Sequence, residues 1–440
     1  MKQFSSLLWV AVIAISFVIS SCECCKDKFP TQHGQLTYFQ EKVAQYDYFG
    51  IEKGDIVLIG DDFFDRGMWS DFYGKEVIKN RGIALEGTEC TMYRIPKIAK
   101  SNPSKIFICT GLYDIKIGNS ATETAENIID IQKKAKKIAP KTEVYVLGLT
   151  ADSAIVKKNL QDSIAKVNSI LAHQDKGFNY IDIAPYLSDS TGVISKYYSF
   201  DGIRINGAGY EVIANALFPY IGLPCLNKRE IQNLDEYRDL YITKYAKYSS
   251  HYKARLSIFN SLPKTEGEIL ILGNSLTNNC WWNEFLPFKT LNRGISGDIV
   301  EGVIDRIDNV IAQKPSKILL MIGVNDIIND TTVTPESICK SYKRLVEIIK
   351  RELPDTKLYV QSMLPLNPIT PYYKGRNEKS IEINKFLQSN TSMGYEYLNI
   401  APALMDENGD LSLKYTCDGI HLLPTGYLEW IKILNPIFND

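Results

Sequence analysis

Short apolar runs alternate along this chain with longer segments in which apolar residues recur at helical spacing. Residues 269–272, 318–322 and 358–360 are continuous apolar runs rich in strand-forming residues, as expected for strands that are buried on both faces of a sheet. Residues 335–351 place apolar side chains every three or four positions, which predicts an amphipathic helix. A further helix is predicted from Pro424, because proline is favoured at the first helical position. This alternation predicts a parallel sheet that is covered by helices on both sides.

The chain contains this pattern twice. GDIVLIGDD from Gly54 matches GEILILGNS from Gly267, and the tetrapeptides NRGI and PSKI recur in the same order in both halves. Residues 183–210 match residues 400–427 without a gap. The offset between matching segments stays between 212 and 217 residues. The chain therefore holds two copies of a domain of roughly 200 residues rather than a short-period solenoid.

The repeat predicts the domain organisation. We expect an α/β protein with two tandem three-layer α/β/α domains, at residues 34–224 and 266–440, each built on a parallel sheet. Residues 225–265 between them are charged and rich in tyrosine. A tyrosine stripe of this kind fits a binding surface, but a helical connector whose tyrosines pack on the second domain is the simpler hypothesis.

Composition places the chain among globular proteins. Of the 440 residues, 45% are hydrophobic and 23% are charged, and the formal net charge is -1. This balance gives no electrostatic reason to expect nucleic acid as a partner. Three of the nine cysteines crowd residues 22–25, and the other six stand singly without a CxxC pair. Neither a zinc site nor a thioredoxin-like site is therefore indicated.

The N-terminus has the order of a bacterial lipoprotein signal peptide. Lys2 is followed by an apolar run, small residues and Cys22, and the run is short for a membrane-spanning helix. Residues 19–22 resemble a lipobox, in which the cysteine is acylated and becomes the first residue of the mature protein. We therefore predict that residues 1–22 direct export and that Cys22 anchors the protein to a bacterial membrane, on its periplasmic or cell-surface face. The alternative is plain secretion, and the sequence indicates no oligomeric state.

In the second copy, residues suited to acyl transfer follow successive strands. Ser275 comes directly after the first strand, Gly294 after the second and Asn325 after the third, and Asp418 and His421 precede the last helix. The carboxyl ends of parallel strands meet at one edge of a sheet, so these groups are expected to converge. Serine becomes a nucleophile when a neighbouring base takes its proton, and histidine titrates close to neutrality. Taken singly, the serine and the histidine each fit a helix cap or a surface position, but the combination indicates a catalytic site.

This set of serine, glycine, asparagine and histidine, in this chain order, resembles the SGNH hydrolase family of GDSL-type esterases. The resemblance implies a flavodoxin-like fold in both copies, and ester hydrolysis that needs no metal and no organic cofactor. It also implies that Ser275 is the nucleophile, that His421 is its general base and that Asp418 orients the imidazole. The oxyanion hole is then expected to consist of the backbone N–H groups of the nucleophile and of Gly294, with the side-chain amide of Asn325.

The first copy departs from this set and is predicted to be inactive. Its nucleophile, amide and base positions hold Asp62, Tyr113 and Arg204, while Gly82 and Asp201 persist. Arginine stays protonated and cannot act as a base near neutral pH. One hypothesis for this degenerate site is an ion pair between Asp62 and Arg204. A rival hypothesis is a divalent-metal site built from Asp61, Asp62, Asp114 and Asp201, although Arg204 opposes a cation.

The identity of the substrate is less directly encoded. Trp281 and Trp282 follow the nucleophile, and they either floor a substrate pocket or pack in the core. Bacterial proteins that the chain resembles often remove acetyl groups from carbohydrates, so an O-acylated glycan or small molecule is the expected partner. Two alternatives remain open. One is a lysophospholipase or thioesterase that acts on longer acyl chains, and the other is a non-catalytic surface protein that binds glycans.

Overall fold

The computed structural model describes residues 33–438 except 75–76, 176, 224–230 and 232. The predicted signal peptide and Cys22 lie outside the described residues. The described chain divides into two compact units. The first comprises the residues up to Gly67 and those from Val77 to Pro185, and the second comprises the segment that starts at Met68 and the chain from Tyr186 onward. Among the described helices, none combines the length and the apolar character that crossing a membrane requires.

The first unit is built on one sheet of parallel strands, which are β1 (Ile56–Gly60), β2 (Ile78–Gly82), β3 (Lys105–Cys109), β4 (Glu143–Leu147) and β5 (Asn179–Ile181). Across the sheet the strands follow the order β2-β1-β3-β4-β5. All pairs are parallel. The two innermost strands are almost completely buried, which explains why they read as uninterrupted apolar runs in the sequence.

The second unit repeats this sheet with the strands β6 (Ile269–Gly273), β7 (Thr290–Gly294), β8 (Lys317–Met321), β9 (Lys357–Gln361) and β10 (Glu396–Leu398). Their order is β10-β9-β8-β6-β7, and all pairs are parallel. Read from the first strand of each copy, the two orders are the same. The predicted strands at 269–272, 318–322 and 358–360 are confirmed, and so are the α/β class and the duplication.

Helices precede, connect and follow the strands. The helix α18 (Pro335–Glu352) begins at the predicted Pro335, and the preceding Thr334 is its N-cap, accepting a hydrogen bond from the N–H of Ser337. The predicted helix from Pro424 is α20 (Pro424–Phe438). In chain order the described helices are α1 (His33–Phe49), α2 (Asp62–Asp65), α3 (Trp69–Tyr73), α4 (Thr88–Lys100), α5 (Leu112–Ile117), α6 (Ala121–Ile138), α7 (Ser153–Lys157), α8 (Gln161–Ala172), α9 (Ala184–Leu187), α10 (Gly207–Ile221), α11 (Leu234–Thr243), α12 (Ser250–Ser261), α13 (Ser275–Asn278), α14 (Trp282–Phe285), α15 (Val300–Asp305), α16 (Ile307–Ile311), α17 (Val324–Asn329), α18 (Pro335–Glu352), α19 (Asn377–Ser389) and α20 (Pro424–Phe438). Short 3-10 turns lie at Pro371–Tyr373, Thr391–Met393 and Ala401–Ala403.

The core of the second copy lies on both faces of its sheet. Successive residues of a strand point to opposite faces. One face buries Leu270, Leu272, Ile318 and Leu320 together with α18, and the other buries Ile271, Leu319 and Met321 together with α20. The middle strands are therefore fixed from both sides, and the loops at their ends are held on a rigid support.

The strand register sets the position of the site. Gly273 at the end of β6 pairs with Gly294 at the end of β7 and with Met321 at the end of β8. The three strands thus end at one level, and the loops that follow them emerge at the same edge of the sheet. Ligands of open parallel sheets bind at this edge.

Candidate active site

The predicted nucleophile lies at the turn from β6 into α13. Ser275 is the first residue of α13, and the side chain of Asn274 caps the helix by accepting a hydrogen bond from the N–H of Leu276 at 3.1 Å. An N–H in the first turn has no acceptor within its own helix, so the N–H of Ser275 is available to a ligand. Glycine is needed at position 273, just before this turn, because a Cβ there would lie 2.2 Å from the carbonyl oxygen of Met321.

Ser275, His421 and Asp418 form one hydrogen-bonded chain, as the sequence predicted. His421 Nε2 lies 3.0 Å from Ser275 Oγ, and His421 Nδ1 lies 2.6 Å from Asp418 Oδ2. An ionised carboxylate only accepts hydrogen bonds, so Nδ1 donates to it and Nε2 is left to accept the serine proton. The three side chains are therefore placed for proton transfer from the serine to the imidazole.

Several donors hold Asp418 in its ionised form. Its Oδ1 accepts the backbone N–H groups of Ile420 and His421 at 2.9 and 2.8 Å, and the hydroxyl of Thr416 lies 3.3 Å away. Burial alone raises the pKa of Asp418, but the hydrogen bond and the charge of His421, with the two N–H groups, lower this pKa from 3.8 to about 2. Asp418 consequently stays a carboxylate across the pH range in which histidine titrates.

The loop after β9 supports the segment that carries Asp418 and His421. Thr370 Oγ1 donates to the carbonyl oxygen of Asp418 at 2.6 Å, and the N–H of Asn367 donates to the carbonyl oxygen of Gly419 at 2.8 Å. Gly419 has φ of 88°, and a Cβ there would lie 2.5 Å from the carbonyl oxygen of Asn367. Only glycine allows the two segments to approach this closely.

Asn325 lies at the start of α17 with its amide oriented by a backbone carbonyl. Asn325 Nδ2 donates to the carbonyl oxygen of Asp298 at 2.9 Å. A carboxamide nitrogen carries two hydrogens, so one remains for a ligand. The next residue, Asp326, accepts a hydrogen bond from the N–H of Val300 at the start of α15. Burial raises the pKa of Asp326 to about 7.

The predicted role of Gly294 as an oxyanion donor is wrong in this structure. The N–H of Gly294 already donates to Asn292 Oδ1 at 2.9 Å. A Cβ at Gly294 would lie 2.3 Å from Thr277 Oγ1 and 2.4 Å from the backbone nitrogen of Asn278. Glycine is needed here so that β7 can approach the helix of the nucleophile. The first copy keeps the same arrangement, with the N–H of Gly82 donating to the side chain of its own asparagine.

Gly297 is a candidate donor that the sequence did not indicate. It lies in the turn after β7 with φ of 81°, and no described residue accepts its N–H. In the first copy the matching residue is Leu85, which has φ of 62° and donates its N–H to Asp62 Oδ2 at 2.8 Å. Because Asp62 occupies the position of Ser275, we expect the matching N–H in the second copy to be directed at the nucleophile. The positive φ, which favours glycine, is the signal that distinguishes Gly297 from Gly294.

The degenerate site of the first copy contains charges that are already neutralised. Asp62 Oδ1 accepts hydrogen bonds from Arg66 Nη2 and Nε at 2.9 and 3.0 Å. Burial raises the pKa of Asp62, but Arg66 and the N–H of Leu85 outweigh it and lower the pKa. Arg204 pairs with Asp201 at 2.5 Å. Each of these two charges thus has an ion-pair partner close to it in the chain, and the ion pair between Asp62 and Arg204 stays a prediction.

Two of the four aspartates of the rival metal hypothesis, Asp61 and Asp114, accept hydrogen bonds from the first turns of helices. Asp61 accepts the N–H of Phe63 at 3.1 Å, and burial raises the pKa of Asp61 to about 8, which favours its protonated form. Asp114 accepts the N–H and the hydroxyl of Thr88 at 2.8 and 2.6 Å at the start of α4. Tyr113, at the position of Asn325, is a buried residue of α5. These contacts explain why acidic residues persist in a copy that lacks the catalytic serine and histidine.

The two tryptophans after the nucleophile have different environments. The side chain of Trp282 is only 2% exposed, and its Nε1 donates to the carbonyl oxygen of Thr277 at 3.0 Å. Its ring meets those of Tyr427 and Trp430 edge to face, at centroid distances of 6.1 and 5.2 Å. Of the two alternatives given for Trp282, core packing is therefore confirmed, and its assignment to substrate binding is wrong. Trp281 is partly exposed, and its predicted contact with substrate stays a prediction.

Comparison with curated proteins finds relatives that match one copy's length. The chain is 25% identical over 186 residues to the platelet-activating factor acetylhydrolase IB subunit alpha1 of Rattus norvegicus. The aligned segment covers 39% of this chain and 75% of the relative. Solved structures that resemble this chain include a GDSL-like lipase from Bacteroides thetaiotaomicron, which is 20% identical in sequence. The superposition covers 43% of this chain and 97% of the lipase, with a TM-score of 0.37. An acetylxylan esterase from Geobacillus stearothermophilus matches at 17% identity, 40% of this chain, 95% of that chain and a TM-score of 0.33.

Both copies match one family. The model of the GDSL-like lipase/acylhydrolase family aligns with residues 63–212 and again with residues 271–428. Together these two segments cover more than half of the chain. The second of them contains the hydrogen-bonded serine, histidine and aspartate together with the oriented asparagine. The chain belongs to the GDSL-like lipase/acylhydrolase family, whose members are carboxylic ester hydrolases.

Proposed function

We propose that the second copy hydrolyses carboxylic esters by acyl transfer to Ser275. The observation that carries this proposal is the hydrogen-bonded chain from Ser275 Oγ through His421 to Asp418, with distances of 3.0 and 2.6 Å. A serine hydroxyl next to an imidazole that a carboxylate orients is the arrangement required for an activated oxygen nucleophile. In the first copy an aspartate and an arginine replace the serine and the histidine, so we assign it no hydrolytic role.

The reaction follows from these positions. His421 Nε2 takes the proton of Ser275 while Oγ attacks the ester carbonyl carbon, and Asp418 stabilises the imidazolium that forms. The oxyanion of the tetrahedral intermediate accepts hydrogen bonds from the N–H groups of Ser275 and Gly297 and from Asn325 Nδ2. Collapse expels the alcohol, which takes the proton from His421. Water then attacks the acyl-enzyme with His421 as base, releasing the carboxylic acid and restoring Ser275 Oγ–H.

We propose a short acyl group, and specifically acetyl, on a carbohydrate alcohol. The name acetylhydrolase of the curated relatives supports the acetyl group. An exposed aromatic ring on the supporting loop is a surface on which a sugar can stack: Tyr372 is 55% exposed, and its hydroxyl donates to the carbonyl oxygen of Ile328. Tyr372 therefore offers a fixed ring within the loop that also contacts Asp418.

A second candidate is an ester with a longer acyl chain, such as a lysophospholipid. The observation that favours it is the exposed apolar surface of the same loop, where Ile369 is 54% exposed beside Tyr372. Such a surface suits a hydrocarbon chain as well as a sugar ring. The two candidates differ in how the rate depends on acyl chain length.

We also propose that the protein is exported and anchored through a lipid on Cys22. This proposal rests on the order of charged, apolar and small residues before Cys22. Hydrolysis then takes place outside the cytoplasm, on the periplasmic or cell-surface face of a bacterial membrane, where acetylated glycans are accessible.

One panel of substrates tests these proposals. The wild type, Ser275→Ala and the matched first-copy variant Asp62→Ala are assayed on p-nitrophenyl acetate, butyrate and octanoate and on an acetylated xylo-oligosaccharide. We expect the highest kcat/KM on acetyl esters, loss of turnover in Ser275→Ala and unchanged turnover in Asp62→Ala. A rate that rises from acetate to octanoate selects the longer-chain candidate. Absence of Ser275-dependent hydrolysis, combined with binding of the oligosaccharide, selects the non-catalytic glycan-binding alternative.

A further inference from the structure

An arginine that the mechanism does not use connects the loops of the active site. Arg306 Nε donates to Asp298 Oδ2 at 2.9 Å, and both side chains have no exposed surface. Arg306 Nη2 also donates to the carbonyl oxygen of Gly273 at 3.2 Å. One guanidinium therefore contacts the end of β6 and the loop after β7 at the same time.

These two contacts lie next to all three donors of the oxyanion hole. Gly273 is separated from Ser275 by a single residue, and Asp298 directly follows Gly297. The carbonyl oxygen of Asp298 accepts from Asn325 Nδ2 at 2.9 Å. Any shift of residue 298 relative to the end of β6 therefore moves the N–H of Gly297 and Asn325 Nδ2 relative to the N–H of Ser275 on α13.

We propose that Arg306 is a positioning residue that fixes the three oxyanion donors relative to one another. The inference rests on the proposed function of the second copy, because it concerns the geometry of that reaction. Arginine suits this task because its planar fork can direct separate N–H groups to a carboxylate and to a carbonyl. Lysine has one ammonium group on a flexible stem and cannot reproduce both directions at once.

The backbone packed against the ion pair restrains the carboxylate of Asp298. The N–H of Ile299 donates to Asp298 Oδ1 at 3.0 Å. A Cβ at Gly302 would lie 1.9 Å from the same oxygen, so α15 approaches the carboxylate as closely as a backbone can. Burying an ion pair often adds little to stability, because both charges lose water. A positioning role explains why the pair is retained at this place.

The first copy offers a matched control. Its buried ion pair joins Glu86 and Arg94, which occupy the positions of Asp298 and Arg306. Arg94 Nη1, however, donates to the carbonyl oxygen of Arg81 at 2.8 Å, within β2, and not to the end of β1. The twin pair is thus similarly buried, but the hydrogen bond from its arginine to a strand goes to β2 instead of the strand that leads to the nucleophile position. Any effect of its loss on folding should resemble that of Arg306, without an effect on catalysis.

The test compares Arg306→Lys with Arg94→Lys in the full chain. A fluorophosphonate titrates the reactive serine, so that each rate is expressed per active site. For Arg306→Lys we expect kcat on p-nitrophenyl acetate to fall by about 10–100-fold, with KM within about 2-fold, because a displaced donor weakens transition-state binding. The inhibition constant of a boronic acid that mimics the tetrahedral intermediate should rise in parallel. Arg94→Lys should change none of these values.

The outcomes separate this inference from the proposed function. If Arg306→Lys and Arg94→Lys shift Tm alike and both keep the wild-type kcat and boronate affinity, the pair is purely structural and the inference is overturned. If the wild type itself shows no Ser275-dependent turnover, the proposed function fails first. Should Arg306→Lys yield no folded protein, Asp298→Asn is compared with Glu86→Gln by the same assays. A fall of about 10-fold or more in kcat for Asp298→Asn alone supports the inference, and equal kcat values overturn it.

Discussion

Replacing Asp418 by asparagine isolates the contribution of its negative charge, because the two side chains have the same shape. The asparagine oxygen can still accept the N–H groups of Ile420 and His421, which lie 2.9 and 2.8 Å from Asp418 Oδ1. Its amide nitrogen, however, donates a hydrogen bond where Oδ2 accepts one at 2.6 Å from His421 Nδ1. The imidazole must then carry its proton on Nε2, where it cannot accept the proton of Ser275.

The size of the effect can be worked from this geometry. A histidine held in the wrong tautomer with its position unchanged lowers kcat by roughly 10⁴-fold in a serine protease, and we expect a similar loss here. The folded protein holds the pKa of Asp418 at about 2 instead of 3.8. Since one pKa unit corresponds to about 1.4 kcal/mol, ionised Asp418 contributes about 2 kcal/mol to the free energy of unfolding. Because the pKa is lowered on folding, this contribution is present above pH 3.8 and is lost as the pH falls towards 2.

The assay combines kinetics with unfolding. kcat and KM of Asp418→Asn are measured on p-nitrophenyl acetate at pH 7, and urea unfolding is followed by tryptophan fluorescence at pH 7 and pH 3. All described tryptophans lie in the second unit, so this signal reports on the unit that carries the site. Asp201→Asn is the matched control in the first copy and should leave kcat unchanged. A kcat for Asp418→Asn within about 10-fold of the wild type would refute the role of the carboxylate.

Three further predictions concern single side chains. Asn325→Ala should lower kcat by about 10²–10³-fold through loss of one oxyanion donor. Tyr113→Ala at the matching position of the first copy should leave kcat unchanged. A loss smaller than about 10-fold in Asn325→Ala would count against Asn325 as a donor. Trp282→Ala should lower the free energy of unfolding by about 3–5 kcal/mol because its ring is in the core, and Trp281→Ala by less than half as much; equal losses in urea unfolding would contradict the core assignment. Cys22→Ala should abolish incorporation of a labelled fatty acid in bacteria, and continued labelling would show that Cys22 is not the anchor.

The duplication and the strand ends made much of the fold predictable from sequence. Strands that are buried on both faces read as continuous apolar runs, so β6, β8 and β9 were predictable, and the two copies support each other's alignment. Ser275 could be identified because it directly follows a strand, and His421 because it lies three residues after Asp418 before the last helix. The matching positions of the first copy hold an aspartate and an arginine, which cannot perform this chemistry.

The remaining features depend on three-dimensional contacts that spacing does not encode. One glycine ends β7 and another lies in the turn after it. Only the hydrogen bond from Gly294 to Asn292 shows that the N–H of Gly294 is already used, whereas no described residue accepts that of Gly297. Adjacent tryptophans look alike in sequence, yet helix geometry sends Trp282 into the core. The link from Arg306 to the end of β6 joins residues that are far apart in the chain, and no local pattern predicts it.

Covalent labelling of the nucleophile tests the central claim most directly. The full chain is treated with a fluorophosphonate, and the adduct is located by mass spectrometry of the intact protein and of its peptides. We expect a single adduct on Ser275, formed in proportion to the loss of esterase activity, and a labelling rate that falls by about 10³-fold or more in His421→Ala. An adduct on another residue, or ester hydrolysis that continues in fully labelled protein, would contradict the role of Ser275 as nucleophile.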